Sequence, residues 1–160
     1  MGEIDYTYEQ IAKMIDHALL APTLTVDELR AGVEMALAYD VASVCIMPHW
    51  IGPCAKILEG STVAPSTTIG FPHGVQPTAV KRAEAEIAVA EGCQELDMVV
   101  NLSLVKSGQW EEVSRDISSV IEVAHRADRK VKVIFENCYL DDAEKVRLCQ
   151  IGRESCRERV

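Results

Sequence analysis

The stretch ELDMVVN, residues 95–101, places one carboxylate, Asp97, inside a run that is otherwise apolar and strand-like. An unpaired carboxylate is costly to bury, so Asp97 needs a partner or a chemical task. One strand-like run later, KVKVIFEN at 130–137 is interrupted in the same way by Lys132. A carboxylate and an amine on neighbouring strands point to a site that handles protons. Spacing alone leaves a second reading open, an inward ion pair that only fills the interior.

The flanking sequence alternates between strand and helix patterns. After ELDMVVN, KSGQ (106–109) is a turn, and Val113, Ile117, Val120, Ile121 and Ala124 form one helical face. Before it, Pro77 suits a first helical turn, Val80, Ala83, Ile87 and Ala90 supply a stripe, and Gly92 ends the helix. Further upstream, VAPSTTIGF (63–71) and SVCIM (43–47) read as strands. FPHG (71–74) is a strand-ending loop rather than a phosphate nest, and a short helix spans 51–58. Thr25 with Glu28 has capping-box spacing and is followed by the stripe Leu29, Val33, Ala36 and Leu37. IDHALL (15–20) is a short strand before Pro22, and Thr7 with Gln10 caps a first helix over 8–15. Past the last strand, Asp141 with Glu144 caps a helix carrying Val146 and Cys149. The Met35, Leu37 and Ala38 region reads as helix packing, and Trp50 and Trp110 as packing residues near loops.

One short helix followed by five strand–helix units with short connections predicts parallel strands joined by crossovers. The last strand alternates as a barrel requires: Val131, Val133 and Phe135 toward outer helices, Lys132, Ile134 and Glu136 inward. No GxGxxG follows the first strand and no GxxxxGK[ST] occurs, so the common nucleotide-binding versions of an alternating fold lack their phosphate loops. The expected class is α/β, a partial (β/α)8 TIM barrel, because a full barrel takes eight units and about 250 residues.

Composition narrows the function classes. With 160 residues, 48% of them hydrophobic, the chain is sized for one domain with a core. A net charge of -9 and the lack of any basic run argue against nucleic acid as a partner. The start MGEIDYTYEQ lacks a basic and then apolar leader, and no apolar run approaches the roughly 20 residues that span a bilayer, so a cytoplasmic location without membrane partners is expected. The six cysteines are scattered without a CxxC, which indicates neither a disulfide framework nor a zinc knuckle. Cys45 reads as core filling.

Taken together, IDHALLAPTLT (15–25), ASVCIMP (42–48), TTIGFPHG (67–74), AEAEIAVAEGCQELDMVVN (83–101), LVKSGQW (104–110) and VKVIFEN (131–137) resemble the first five strand–helix units of deoxyribose-phosphate aldolase. The resemblance implies a TIM barrel and a class I, Schiff-base carbon–carbon lyase. Its reaction is the reversible cleavage of 2-deoxyribose 5-phosphate to glyceraldehyde 3-phosphate and acetaldehyde. It also implies no cofactor and no metal, a small phosphorylated sugar or aldehyde as substrate, and a homo-oligomer. Asp97 matches the aspartate that works with water as proton donor and acceptor, and Lys132 the inward lysine of strand five. Asp16 and Cys45 match substrate-binding positions in the pocket.

The family's nucleophilic lysine lies in a KTSTG-like motif on strand six, and these 160 residues contain none. The second reactive lysine of strand seven and the phosphate loops after strands seven and eight have no counterpart either. After Gln150 the sequence IGRESCRERV, with Arg153, Glu154, Arg157, Glu158 and Arg159, replaces the expected apolar helix end, turn and strand. The expectation is a family unit over 1–150, truncated after its fifth strand–helix unit, with a non-family tail at 151–160 and little aldolase activity by itself. Two other readings compete: a non-catalytic half-barrel that self-associates through exposed strand edges, and a metal-dependent hydrolase using His17, His49 and His73.

Overall fold

Local signals set the first elements. In the computed structural model, which describes residues 5–156, the Thr7 hydroxyl accepts from the Gln10 N–H and the Gln10 side chain accepts in return, capping α1 (Tyr8–Ala12). Thr25 and Glu28 do the same for α2 (Val26–Ala38), which buries Leu29, Val33 and Ala36. Helix α1 is shorter than the predicted 8–15: Lys13 caps it, and Met14 and Ile15 are exposed.

Five strands follow in chain order, β1 (Asp16–Leu19), β2 (Ser43–Ile46), β3 (Ala64–Ile69), β4 (Glu95–Val99) and β5 (Lys130–Ile134). They form one parallel sheet in the order β1-β2-β3-β4-β5, the arrangement predicted from the strand–helix alternation. The sheet is open, with β1 and β5 as its outer strands, and is part of a TIM barrel. A short 3-10 turn, Pro48–Trp50, leads into α3 (Ile51–Ile57). Among the described residues no helix is long and apolar enough to cross a membrane.

Period-two alternation splits the strand residues between two faces. Leu19, Val44, Ile46, Ile69, Leu96 and Met98 are buried in the core, on the side where the helices pack. Asp16, Ser43, Cys45, Ser66, Thr68, Glu95, Asp97 and Lys132 share the other, concave face through the registers Asp16↔Ser43, Cys45↔Ser66, Thr68↔Asp97 and Asp97↔Lys132. Val131, Val133 and Phe135 pack on the core, as their alternation predicted.

The helices depart from the predicted stripes in two places. In α4 (Thr78–Ala90) the buried residues are Lys81, Ala85 and Ala88, while the expected Val80 and Ile87 are 44% and 60% exposed. The reason is a buried ion pair: Lys81 Nζ lies 2.6 Å from Asp116 Oδ2 of α6 (Trp110–Arg126), and its need for that partner outranks the apolar stripe. On α6 itself the predicted face, Val113, Ile117, Val120, Ile121 and Ala124, is buried. The Asp141–Glu144 cap forms ahead of α7 (Asp142–Cys156), but Val146 and Cys149 are exposed, and Leu148 and Ile151 carry the packing instead. Ile151, the first residue of the segment expected to be a non-family tail, thus reaches the core, and residues 157–160 lie outside the described residues. Met35 is exposed, whereas Trp50 and Trp110 pack against the core as expected. A further short helix, α5 (Leu102–Lys106), had no signal beyond Asn101, whose side chain accepts from the Leu104 N–H.

Candidate functional site

Asp97 and Lys132 are register partners on β4 and β5, so both side chains leave the concave face at the same level. Lys132 Nζ lies 3.4 Å from Asp97 Oδ1, but this is its weakest contact. The amine is 2.6 Å from Asp16 Oδ2 and 3.0 Å from Glu95 Oε2. Asp16 is further held by the Ser43 hydroxyl, which donates to its Oδ1 at 2.5 Å. Asp97 Oδ1 is close enough to feel the ammonium, yet it is buried without a well-directed hydrogen bond.

The Asp16–Lys132 contact also reports the shape of the sheet. The two residues are 116 positions apart and stand on its outermost strands. In a flat sheet β1 and β5 would be separated by about 19 Å, four strand spacings. A direct ion pair across that interval requires the sheet to curl around its polar face, as a barrel wall does.

Environment gives the ionisable groups different characters. Burial raises the Asp97 carboxyl above its usual range, and the Lys132 charge and the Cys45 thiol offset only part of that effect. Lys132 is driven the opposite way from ordinary burial: desolvation lowers its pKa, but bonds from Asp16 and Glu95 and the charge of Asp97 raise it above the usual lysine range. Asp16 is held below the carboxylate range because its bonds to Lys132 and Ser43 outweigh its partial burial. Cys45 is buried, and desolvation, followed by the neighbouring Asp97, pushes its thiol up to about 12. It is a poor nucleophile there.

The four residues singled out from sequence, Asp16, Cys45, Asp97 and Lys132, therefore share one face and one cluster. Sequence reasoning missed Glu95. The signal was present, because Glu95 stands two residues before Asp97 on the same strand and so on the same face. Its Oε1 also meets Lys130 Nζ at 3.1 Å, so Glu95 bridges both inward lysines of β5.

The histidine reading is corrected by the structure. His17 lies on the opposite side of β1, lining an apolar groove with Tyr8, Ile11, Met35 and Tyr39. His49 packs edge-on against Trp50 with ring centroids 4.9 Å apart, and His73 lines a separate pocket with Leu102 and Tyr139. Among the described residues no group of three His, Cys, Asp or Glu side chains is placed to hold a metal ion.

Comparison with known proteins finds similar chains. No family model matches the sequence. A deoxyribose-phosphate aldolase from Rhodopirellula baltica is 56% identical over 150 residues, covering 94% of this chain and 62% of the relative. The chain is similar to deoxyribose-phosphate aldolases over nearly all of its own length. A second aldolase of that name, from Caldanaerobacter subterraneus, is 42% identical over 146 residues, covering 91% of this chain and 63% of its own length. In three dimensions the chain superposes on the deoxyribose phosphate aldolase of Aeropyrum pernix with a TM-score of 0.84 and 31% identity, covering 93% of this chain and 62% of the other. The chain thus spans about three fifths of the length of the deoxyribose-phosphate aldolases it matches.

Proposed function

We propose that this chain supplies the proton-transfer part of a deoxyribose-phosphate aldolase site, for reversible cleavage of 2-deoxyribose 5-phosphate to glyceraldehyde 3-phosphate and acetaldehyde. The observation that carries the reading is Asp97: a buried carboxyl, raised in pKa, on the concave face of a barrel wall that matches aldolases of that name. A carboxyl in that state can take a proton from a substrate hydroxyl or bound water and return it. Lys132 stays charged beside it and orients water or a substrate hydroxyl, with Asp16 and Cys45 completing the wall of the pocket. We also propose that residues 1–150 form the family unit and that 151–160 depart from it.

Lys132 does not serve as the Schiff-base amine in this reading, since attack on a carbonyl needs a deprotonated amine and its three carboxylate neighbours hold the proton on. By itself the chain is expected to show little or no turnover of 2-deoxyribose 5-phosphate, and borohydride trapping with acetaldehyde is expected to leave Lys132 unlabelled. Joining residues 1–150 to the portion of the Rhodopirellula relative beyond the matched region should create an active chimera. In that chimera, Asp97→Asn should lower kcat by roughly 10²- to 10⁴-fold. A folded but inactive chimera, or a labelled Lys132, would overturn the assignment.

The Aeropyrum pernix neighbour is described as tetrameric, and we propose that this chain also self-associates. The open sheet supports this, because β1 and β5 each have a single hydrogen-bonded neighbour and unpaired edges favour association. Light scattering should give a mass above that of one 17.6 kDa chain. A monodisperse monomer at micromolar concentration would count against both the oligomer and the assembly of half-barrels.

A further inference from the structure

The concave face offers three carboxylates to one ammonium, and the division among them is unequal. Lys132 Nζ donates to Asp16 Oδ2 at 2.6 Å and lies 3.0 Å from Glu95 Oε2, while it stands 3.4 Å from Asp97 Oδ1, which accepts no hydrogen bond. Glu95 is only 14% exposed and is anchored from its other oxygen by Lys130 at 3.1 Å, so it cannot swing away from Lys132 without breaking a second contact. It sits one inward position before Asp97 on β4, nearer the strand's N-terminal end. That placement draws the lysine head along β4, away from the level of Asp97.

We propose that Glu95 is a positioning residue of this site: by sharing the Lys132 ammonium with Asp16, it draws the amine off Asp97 and leaves that buried carboxyl free to exchange a proton. The inference shares its site with the proposed function, but it concerns where a charge is held rather than which substrate is cleaved. The groups facing Asp97 are Asp16 from β1, Cys45 from β2, Glu95 from its own strand, and Lys130 and Lys132 from β5, while β3 presents only Ser66 and Thr68. Cys93, just before β4, also lies within the field of Asp97. Of these, only Lys132 is a cation within ion-pair distance of Asp97, so its position sets how much of the effect of burial on that carboxyl is offset.

The test is a carboxyl-carbon NMR titration of the full chain, with the Asp97 signal assigned by its loss in Asp97→Asn. In Glu95→Gln the amine is released toward Asp97, and the Asp97 midpoint should fall by roughly one pH unit. Repeated in a Lys132→Met background, the same substitution should move Asp97 far less, because the effect passes through the amine. If Glu95→Gln does not fold, Glu95→Asp keeps the charge but is too short to hold both lysines, and a smaller downward shift is expected. An unmoved or raised midpoint overturns the proposal, as does a full-sized shift that persists without Lys132. Because protonation is read directly, the outcome stands whether or not the aldolase chimera is active.

Discussion

Replacing Lys81 by alanine is expected to lower the unfolding free energy by roughly 3–5 kcal/mol, read as a large drop in the urea midpoint. Lys81 is fully buried in α4, where its Nζ donates to Asp116 Oδ2 at 2.6 Å and to the Val99 carbonyl at 3.0 Å. Asp116 is buried too, and its other oxygen accepts from the Thr78 hydroxyl at 2.7 Å. Removing the lysine strands one carboxylate and one backbone carbonyl in the core, and the loss comes from leaving them unpaired rather than from the attraction of the pair. The double variant Lys81→Met with Asp116→Leu should therefore recover most of the lost stability. A single variant within about 1 kcal/mol of the parent would show that water reaches Asp116. Since the Val99 carbonyl closes the strand that carries Asp97, this pair also anchors the site.

The second large effect is expected at Gly74. A Cβ there would stand 2.0 Å from the Val100 carbonyl oxygen and 2.9 Å from that of Val99, in a backbone at φ +69° that disfavours side chains. The obstacles are backbone atoms, which cannot rotate aside, and the Gly74 N–H is itself bonded to the Gly70 carbonyl at 2.7 Å. Gly74→Ala should destabilise by on the order of 4 kcal/mol or leave no folded protein. Gly60 makes the control: its φ is +78°, but a Cβ there meets nothing within 4 Å. Gly60→Ala should lose only about 1–2 kcal/mol, the intrinsic penalty of the left-handed region. Urea unfolding followed by circular dichroism separates the two, and equal losses would show that backbone conformation alone, not the close approach, governs Gly74.

These two residues mark how far the sequence could be read. FPHG was legible as a loop that ends a strand, because Pro72 and Gly74 punctuate the chain locally. That Gly74 must press against the end of β4 was not legible, since the contact joins segments about 25 residues apart and leaves no periodic trace. The α4 stripe failed for a related reason. Val80 and Ile87 satisfy the helical period, yet the face turned inward is the one where Lys81 finds Asp116 on α6. A hydrophobic pattern counts apolar side chains and cannot see that a charged one has a partner waiting. In α7 likewise, Leu148 and Ile151 pack in the core where Val146 and Cys149 were expected to.

The sequence by itself determined the order of the elements, the parallel sheet and the inward face of β5. Those features follow from caps, punctuation and period-two alternation, all of which act over a few residues. It also singled out Asp97 and Lys132, because each breaks an apolar run. Only the tertiary structure decided how Lys132 is shared. Asp16 reaches it from 116 positions away because the sheet curls, and Glu95 reaches it by standing on the same face of β4 as Asp97. Curvature is a property of the assembled strands, so the strongest partner of Lys132 was not the neighbour its sequence pattern proposed but the residue that the closing wall brought opposite it.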